Sequence, residues 1–151
     1  MQKLDSARFV EILRNEYFST AYLEQIKPLV IERLNTFQEF IEKNAFFFTG
    51  ALDYTGVELL PKGVEKQVFC KALKNLTEKL DDLYDWRTET LKELLEGELK
   101  ELAWKAKDFF MPIRLICCGR KDAPPLFETL EMLVREIVRF RLRDVLDRVL
   151  K

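Results

Sequence analysis

Arg114 lies within an otherwise apolar run, residues 111–118, and is the side chain of this sequence with the most specific chemistry. Its planar guanidinium presents several N–H donors in a fork that can bind the edge of a nucleic-acid base or a phosphate. A charged group in an apolar run must reach solvent, a carboxylate or a ligand, because an unpaired buried charge is costly. The alternative to a ligand is an internal ion pair with Asp108 or Glu128.

The charges around Arg114 are mainly positive. Residues 105–121 contain five basic residues and one acidic residue, whereas residues 78–101 contain nine acidic residues and four basic ones. The chain of 151 residues has a net charge of −1, which argues against indiscriminate coating of nucleic acid. One basic segment on a nearly neutral chain favours docking of a short RNA element at one place. The acidic segment supports a rival hypothesis, an all-α protein-interaction module whose acidic helical face meets a basic partner.

Catalytic and metal-binding residue patterns are missing from the sequence. The chain has no histidine, which removes Ser–His and Cys–His pairs and imidazole metal ligands. Cys70, Cys117 and Cys118 lack metal-ligand spacing, so they predict reduced core thiols instead of a disulfide or a zinc site. No glycine-rich phosphate loop occurs. We therefore predict that this chain has no catalytic residue, no metal and no cofactor of its own.

The elements that must position Arg114 are all predicted to be helices. Apolar residues at helical spacing indicate one helix that ends near Phe18 and a second that begins near Ala21 and breaks around residues 34–36. Thr36 and Glu39 have the spacing of a capping box, which predicts a third helix from residue 37. No run shows the alternation of a strand, so the fold class is predicted to be all-α.

The segment of residues 46–63 contains three glycines and one proline and is predicted to be a loop between two small helical lobes. We place the N-terminal lobe at residues 1–50, the connecting loop at 51–63 and the C-terminal lobe at 64–151. Leucine-rich stripes predict two helices in the C-terminal lobe, over about 64–83 and from a cap at Thr88.

The rest of the C-terminal lobe surrounds Arg114. Pro112 suits the first turn of a short helix, and Gly119 can end that helix by adopting a left-handed conformation. Pro124 and Pro125 then precede a last helical pair. The predicted architecture is a helical bundle of two small lobes.

The order of features over residues 107–130 resembles the end of the anticodon-binding region of bacterial-type glutamyl-tRNA synthetases. These features are a Pro-hydrophobic-Arg segment, a glycine, a short polar loop with proline and a Leu-Phe-Glu helix start. Residues 28–37 and 44–50 and the leucine-patterned helices fit the same family. The resemblance implies the anticodon-binding fold of class I synthetases and the anticodon loop of tRNA(Glu) as the partner.

The resemblance also implies which residues contact RNA. Arg114, Ala123, Pro124 and Leu126 match positions that enclose the first two anticodon bases, and Arg33 matches an arginine near the third. Arg120 and Lys121 are predicted to hold phosphates next to the hinge residue Gly119. The chain departs from the family pattern at three places, namely Cys117-Cys118 where Leu-Thr is common, Ala123 where a hydroxyl residue occurs, and Val134 where glycine is frequent.

The resemblance does not extend to catalysis. Class I synthetases of this kind carry His-Ile-Gly-His and Lys-Met-Ser-Lys-Ser signatures, and the chain contains neither. We interpret it as the non-catalytic C-terminal part of a glutamate–tRNA ligase, whose missing N-terminal domain joins glutamate to tRNA using ATP and magnesium. No apolar stretch reaches the ~18 residues that a membrane span requires, and we expect a cytoplasmic monomer.

Overall fold

A computed structural model describes residues 5–151, and within this range the chain forms seven α-helices and no strand. This confirms the predicted all-α class. Short π-helical turns follow the first and last helices, and 3-10 turns occupy residues 31–33 and 45–47. The helices are α1 (Ser6–Ile12), α2 (Thr20–Val30), α3 (Gln38–Asn44), α4 (Lys66–Asp82), α5 (Thr88–Leu102), α6 (Ala106–Cys118) and α7 (Leu126–Asp144).

Helix α7 is the central element and contacts α2, α4, α5 and α6. Its apolar residues recur on successive turns and are buried, among them Leu130, Leu133, Val138 and Leu142. The core around them is one cluster that also includes Ile26 of α2. Residues from both sides of the predicted connecting loop therefore share one core, and the division into two lobes stays a prediction.

The leucine stripes of α4 and α5 form the helices that the sequence predicts. Phe69, Leu73, Leu76 and Leu80 of α4 are at most 1% exposed, and so are Leu91 and Leu95 of α5. Burial of such a side chain is worth about 2 kcal/mol, which makes this stripe a main source of stability. The residue that caps the N-terminus of α5, however, is not the predicted Thr88.

Thr88 is the first residue of α5 and not its cap, contrary to the prediction. Its backbone N–H donates to the carboxylate of Glu131 at 2.8 Å, and its hydroxyl donates to the same carboxylate at 2.5 Å. Glu131 lies on α7, 43 residues away. A carboxylate at a helix N-terminus is stabilising because it meets unpaired N–H groups and the positive end of the helix dipole. The cap of α5 is thus a tertiary contact.

The predicted capping box at α3 is also replaced by another arrangement. Thr36 makes no side-chain cap, and α3 begins at Gln38, one residue later than expected. The Glu39 carboxylate accepts from the backbone N–H of Asn35 at 3.0 Å and from Lys43 Nζ at 2.8 Å. Glu39 therefore closes the turn before the helix, as in a capping box, but it reaches one residue further back.

Helix α6 begins six residues before Pro112, so the prediction that this proline lies in the first turn is wrong. The helix extends in the N-terminal direction because Phe109 packs into the core at 1% exposure. Proline has no N–H, so one hydrogen bond is lost inside the helix. The predicted end is correct, because Gly119 has a φ of 71° and its N–H donates to the carbonyl of Leu115 at 2.8 Å.

The expected last helical pair is present, as two helical segments of α7 that meet at a kink. Within α7, Val134 has a φ of 58° and a ψ of 159°, a conformation that valine rarely adopts because its branched side chain clashes with the backbone. Glycine adopts it without this cost. The position is the one where the resemblance expects glycine.

Candidate nucleic-acid interface

The loop of residues 119–125, between α6 and α7, is the centre of the predicted site. Gly119 starts it with a sharp left-handed turn, and Pro124 and Pro125 end it with restricted backbone angles. Such a loop loses little conformational freedom when a ligand binds, because its backbone is already constrained.

Arg114 projects from α6 to this loop and is half-buried. Its Nη1 donates to the carbonyl oxygens of Ala123 at 2.8 Å and Pro124 at 2.5 Å. Within residues 5–151 no carboxylate pairs with it, so Asp108 and Glu128 do not form the alternative ion pair. Nε and Nη2 form no hydrogen bond in the same range. Arg114 braces the loop with one nitrogen and keeps other donors for a ligand.

Arg33 reaches the same loop from a distant part of the sequence. Its guanidinium forms an ion pair with the carboxylate of Asp122, 89 residues away. Its backbone carbonyl accepts from Lys43 Nζ at 3.0 Å, which fixes the end of the 3-10 turn against α3. The structure therefore brings Arg33 and Arg114, two of the predicted RNA-binding arginines, to one loop.

Arg120 and Lys121 have different environments. Nη1 of Arg120 donates to the backbone carbonyl of Glu42 in α3 at 3.0 Å, so this arginine fastens the loop to the N-terminal helices. Lys121 is exposed and forms no ion pair in the described part of the chain. Of the two, Lys121 is free to meet a phosphate.

The side chains of Ala123, Pro124 and Leu126 are buried against the protein. In this conformation the loop instead exposes Lys121 and Asp122. Enclosure of bases by the three buried residues stays a prediction. Their backbone carbonyls and the arginine bound to them form the polar part of the loop.

Arg141 was not predicted from the sequence, although it lies behind the same loop. It is 0% exposed, and its guanidinium donates to four backbone carbonyls, those of Phe46 at 2.7 Å, Thr49 at 2.5 Å, Gly50 at 3.0 Å and Cys117. Burial lowers the pKa of Arg141 from its ordinary value. This arginine joins the last turn of α6 to residues 46–50 and so supports the start of the loop.

The two cysteines before Gly119 are buried and free. Burial raises the pKa of Cys118 to about 12, and it raises the pKa of Cys117 as well. A thiol with such a pKa stays neutral near pH 7 and is a poor nucleophile. Both cysteines therefore act as small core residues, as predicted.

The acidic segment of residues 78–101 is less negative at its surface than its composition indicates. Glu98 is 2% exposed and forms an ion pair with Lys79 of α4, which also pairs with Glu101. Asp81 pairs with two arginines of α7. Asp81 and the buried Glu98 are neutralised within the protein, and the hypothesis of an acidic docking face stays a prediction.

In residues 5–151 none of the helices combines the length and the apolar character needed to cross a membrane.

Comparison with known proteins finds a matching family. Residues 7–146 match a family model described as the anticodon binding domain.

The chain is also similar to curated glutamate–tRNA ligases. It is 36% identical over 113 residues to that of Roseiflexus castenholzii, which covers 75% of this chain and 22% of the relative. It is 35% identical over 130 residues to that of Solibacter usitatus, which covers 83% of this chain and 26% of the relative. The chain thus spans about a quarter of the length of these relatives.

Proposed function

This chain belongs to the anticodon binding domain family, and we propose that its loop of residues 119–125 reads the anticodon of tRNA(Glu). The observation that carries the proposal is the meeting of Arg33 and Arg114 at one proline-braced loop. Unstacked bases of single-stranded RNA are recognised through their edges by such fixed donors. The family match supports anticodon binding by the domain, and this geometry is our reason for proposing the loop as the place.

In this proposal Arg114 has two tasks. Nη1 holds the carbonyls of Ala123 and Pro124, and the remaining guanidinium N–H groups donate to an anticodon base. Arg33 contributes a second cation, which Asp122 holds in place until RNA competes for it. Lys121 meets a phosphate of the loop.

We also propose that the parent protein is a glutamate–tRNA ligase, because the relatives that match carry that name. ATP and magnesium would then bind in the part of the parent outside this chain. The residues present do not fit that chemistry, since the sequence has no histidine and neither synthetase signature. A cytoplasmic location and a monomeric state belong to the same proposal, and size-exclusion chromatography tests the latter.

Binding of anticodon stem-loop RNA tests the function directly. The chain should bind a stem-loop with a glutamate anticodon more tightly than an otherwise identical stem-loop whose three anticodon bases are changed. Equal affinity for the two RNAs, measured by fluorescence anisotropy at one salt concentration, would overturn the proposal. Preferential capture of basic peptides with no RNA preference would support the rival interaction module.

Variants of Arg114 test the site. Arg114→Ala should weaken binding of the matched stem-loop by ~1–3 kcal/mol and reduce the anticodon preference. Arg114→Lys should restore little, because an ammonium does not reproduce the planar fork. If Arg114→Ala lowers the melting temperature but leaves affinity and preference unchanged, Arg114 only braces the loop.

A further inference from the structure

A groove of about 340 Å³ lies beside the loop of residues 119–125, on the face of α6 that carries Met111 and Leu115. Three lysines from three separate segments line it. Lys62 comes from the segment before α4, Lys107 from the first turn of α6, and Lys121 from the loop itself. The sequence shows two of them within one basic segment but gives no reason to place Lys62 with them.

The charges of these lysines are not neutralised within the protein. All three are exposed, and in the part of the chain that the structure describes none of them forms an ion pair. Glu58 and Asp108 also line the groove, but neither carboxylate pairs with a lysine there. Three unpaired ammonium groups therefore outnumber the two carboxylates.

We propose that this groove binds the sugar–phosphate backbone of the anticodon stem-loop, an inference that rests on the proposed function. A lysine ammonium binds phosphate as a mobile point charge, whereas an arginine fork binds either a phosphate or the edge of a base. The structure separates the two kinds of cation, because the arginines hold the loop and the lysines surround the groove. Lys121 belongs to the same loop as Asp122, the partner of Arg33, so one RNA loop can contact both the arginines and the groove.

The groove fits a polyanion better than a small anion. Its ammonium groups belong to three segments and its floor includes the apolar side chains of Met111, Pro112 and Leu115. Ribose and base surfaces can pack on such a floor while successive phosphates meet the lysines. Phosphate contacts of this kind fix the register of the RNA but carry no information about its sequence.

The test compares two triple variants with the same change in net charge. One replaces the groove lysines (Lys62→Gln, Lys107→Gln, Lys121→Gln), and the other replaces exposed lysines of α4 and α5 that form no ion pair in residues 5–151 (Lys71→Gln, Lys74→Gln, Lys100→Gln). The affinity for the glutamate stem-loop is measured from low to moderate salt. Circular dichroism shows whether each variant is folded.

The groove variant should reduce the magnitude of the slope of log affinity against log salt by about 2–3 units, because each of the three phosphate contacts contributes ~0.7–0.9. The control variant should leave the slope within about half a unit of the original. The preference for the matched anticodon should persist in the groove variant. If the triple variant does not fold, Lys62→Gln and Lys121→Gln alone should each lower the slope by just under one unit.

Several results would overturn the inference. Equal loss of slope in both triple variants would show that only net charge matters, and an unchanged slope in the groove variant would show that RNA does not enter the groove. Tighter binding of poly-glutamate than of RNA by the groove lysines would assign the groove to an acidic peptide. Failure of the original chain to distinguish anticodons would instead refute the proposed function, so the two failures are distinguishable.

Discussion

At the scale of single residues, two arginines in apolar surroundings are satisfied by backbone carbonyls and not by carboxylates. The sequence shows that Arg114 must find partners, because it is the one charge in an apolar helix, but it does not show which ones. Arg141 gives no such signal, since it lies in a run rich in charged residues, 139–144. Its partners include carbonyls 91 to 95 residues away, and no local pattern reports them.

Replacement of Arg141 should be among the most destabilising changes on the chain. Arg141→Met keeps most of the volume but leaves four carbonyl groups without their donor. We expect a loss of at least about 3 kcal/mol, because each buried unsatisfied acceptor costs ~1–3 kcal/mol. Urea denaturation measures it. Arg8→Met, which removes an exposed ion pair with Glu11, is the control and should cost less than about 1 kcal/mol.

Val134 should be a site where glycine stabilises the protein. Its φ of 58° and ψ of 159° fall in a region that costs a residue with a side chain ~1–3 kcal/mol. Val134→Gly should therefore raise the stability by about 1 kcal/mol after the entropy of glycine is counted. Val68→Gly in α4 is a matched control, because Val68 is 47% exposed and Val134 49%. The control should lose about 0.5 kcal/mol of stability. A loss of stability in both variants would show that the backbone of Val134 is not strained.

At the scale of elements, periodicity in the sequence predicts what the helices bury, while their starts depend on the rest of the fold. The stripe of α4 is predicted correctly at Phe69, Leu73, Leu76 and Leu80, because apolar residues that recur every 3.6 positions must lie on one face of a helix; Leu83, also expected in the stripe, lies just beyond the end of the helix. The start of α5 is misassigned because its cap is Glu131 of α7. The start of α6 is misassigned because core packing of Phe109 outweighs the cost of an internal proline.

Because of the turn before α3, the free energy of unfolding should decrease at acid pH. The hydrogen bond from Lys43, followed by that from the Asn35 N–H, lowers the pKa of Glu39 to about 2 from its ordinary 4.5. A carboxylate with a lowered pKa in the folded state stabilises the protein fully above pH ~4.5, and this contribution is lost as the pH falls towards 2. Glu39→Gln should therefore lower stability at pH 7 and make little difference near pH 2.

Chemical denaturation of both proteins at several pH values between 2 and 7 measures this difference. Glu24→Gln is the control, because Glu24 is exposed and forms no ion pair in residues 5–151. The stability gap between the original chain and Glu39→Gln should close across this pH range more than the gap for Glu24→Gln. A gap that is constant with pH would show that Glu39 does not hold the turn through its charge.

At the scale of the whole molecule, contacts join the predicted connecting loop, residues 51–63, and the parts of the chain on either side of it. The hydroxyl of Tyr54 donates to the carbonyl of Ile116 at 2.7 Å, and that of Tyr22 lies 3.3 Å from the carbonyl of Met132. Arg141 binds carbonyls both before this segment and in α6. The glycine-rich composition of the segment predicts a loop correctly, but it contains no information on how firmly the parts on either side are joined.

These contacts lead us to expect that residues 5–151 unfold as one cooperative unit. Both tryptophans, Trp86 and Trp104, lie in residues 64–151, so their fluorescence reports that part alone, whereas circular dichroism at 222 nm reports all helices. The two signals should change at the same urea concentration, as two-state unfolding of a single domain requires. A second dichroism transition that fluorescence does not share would mean that residues 5–50 unfold independently of the rest. Arg141→Met should separate the transitions if its guanidinium is the main link, since it removes donors to carbonyls on both sides of the loop at once.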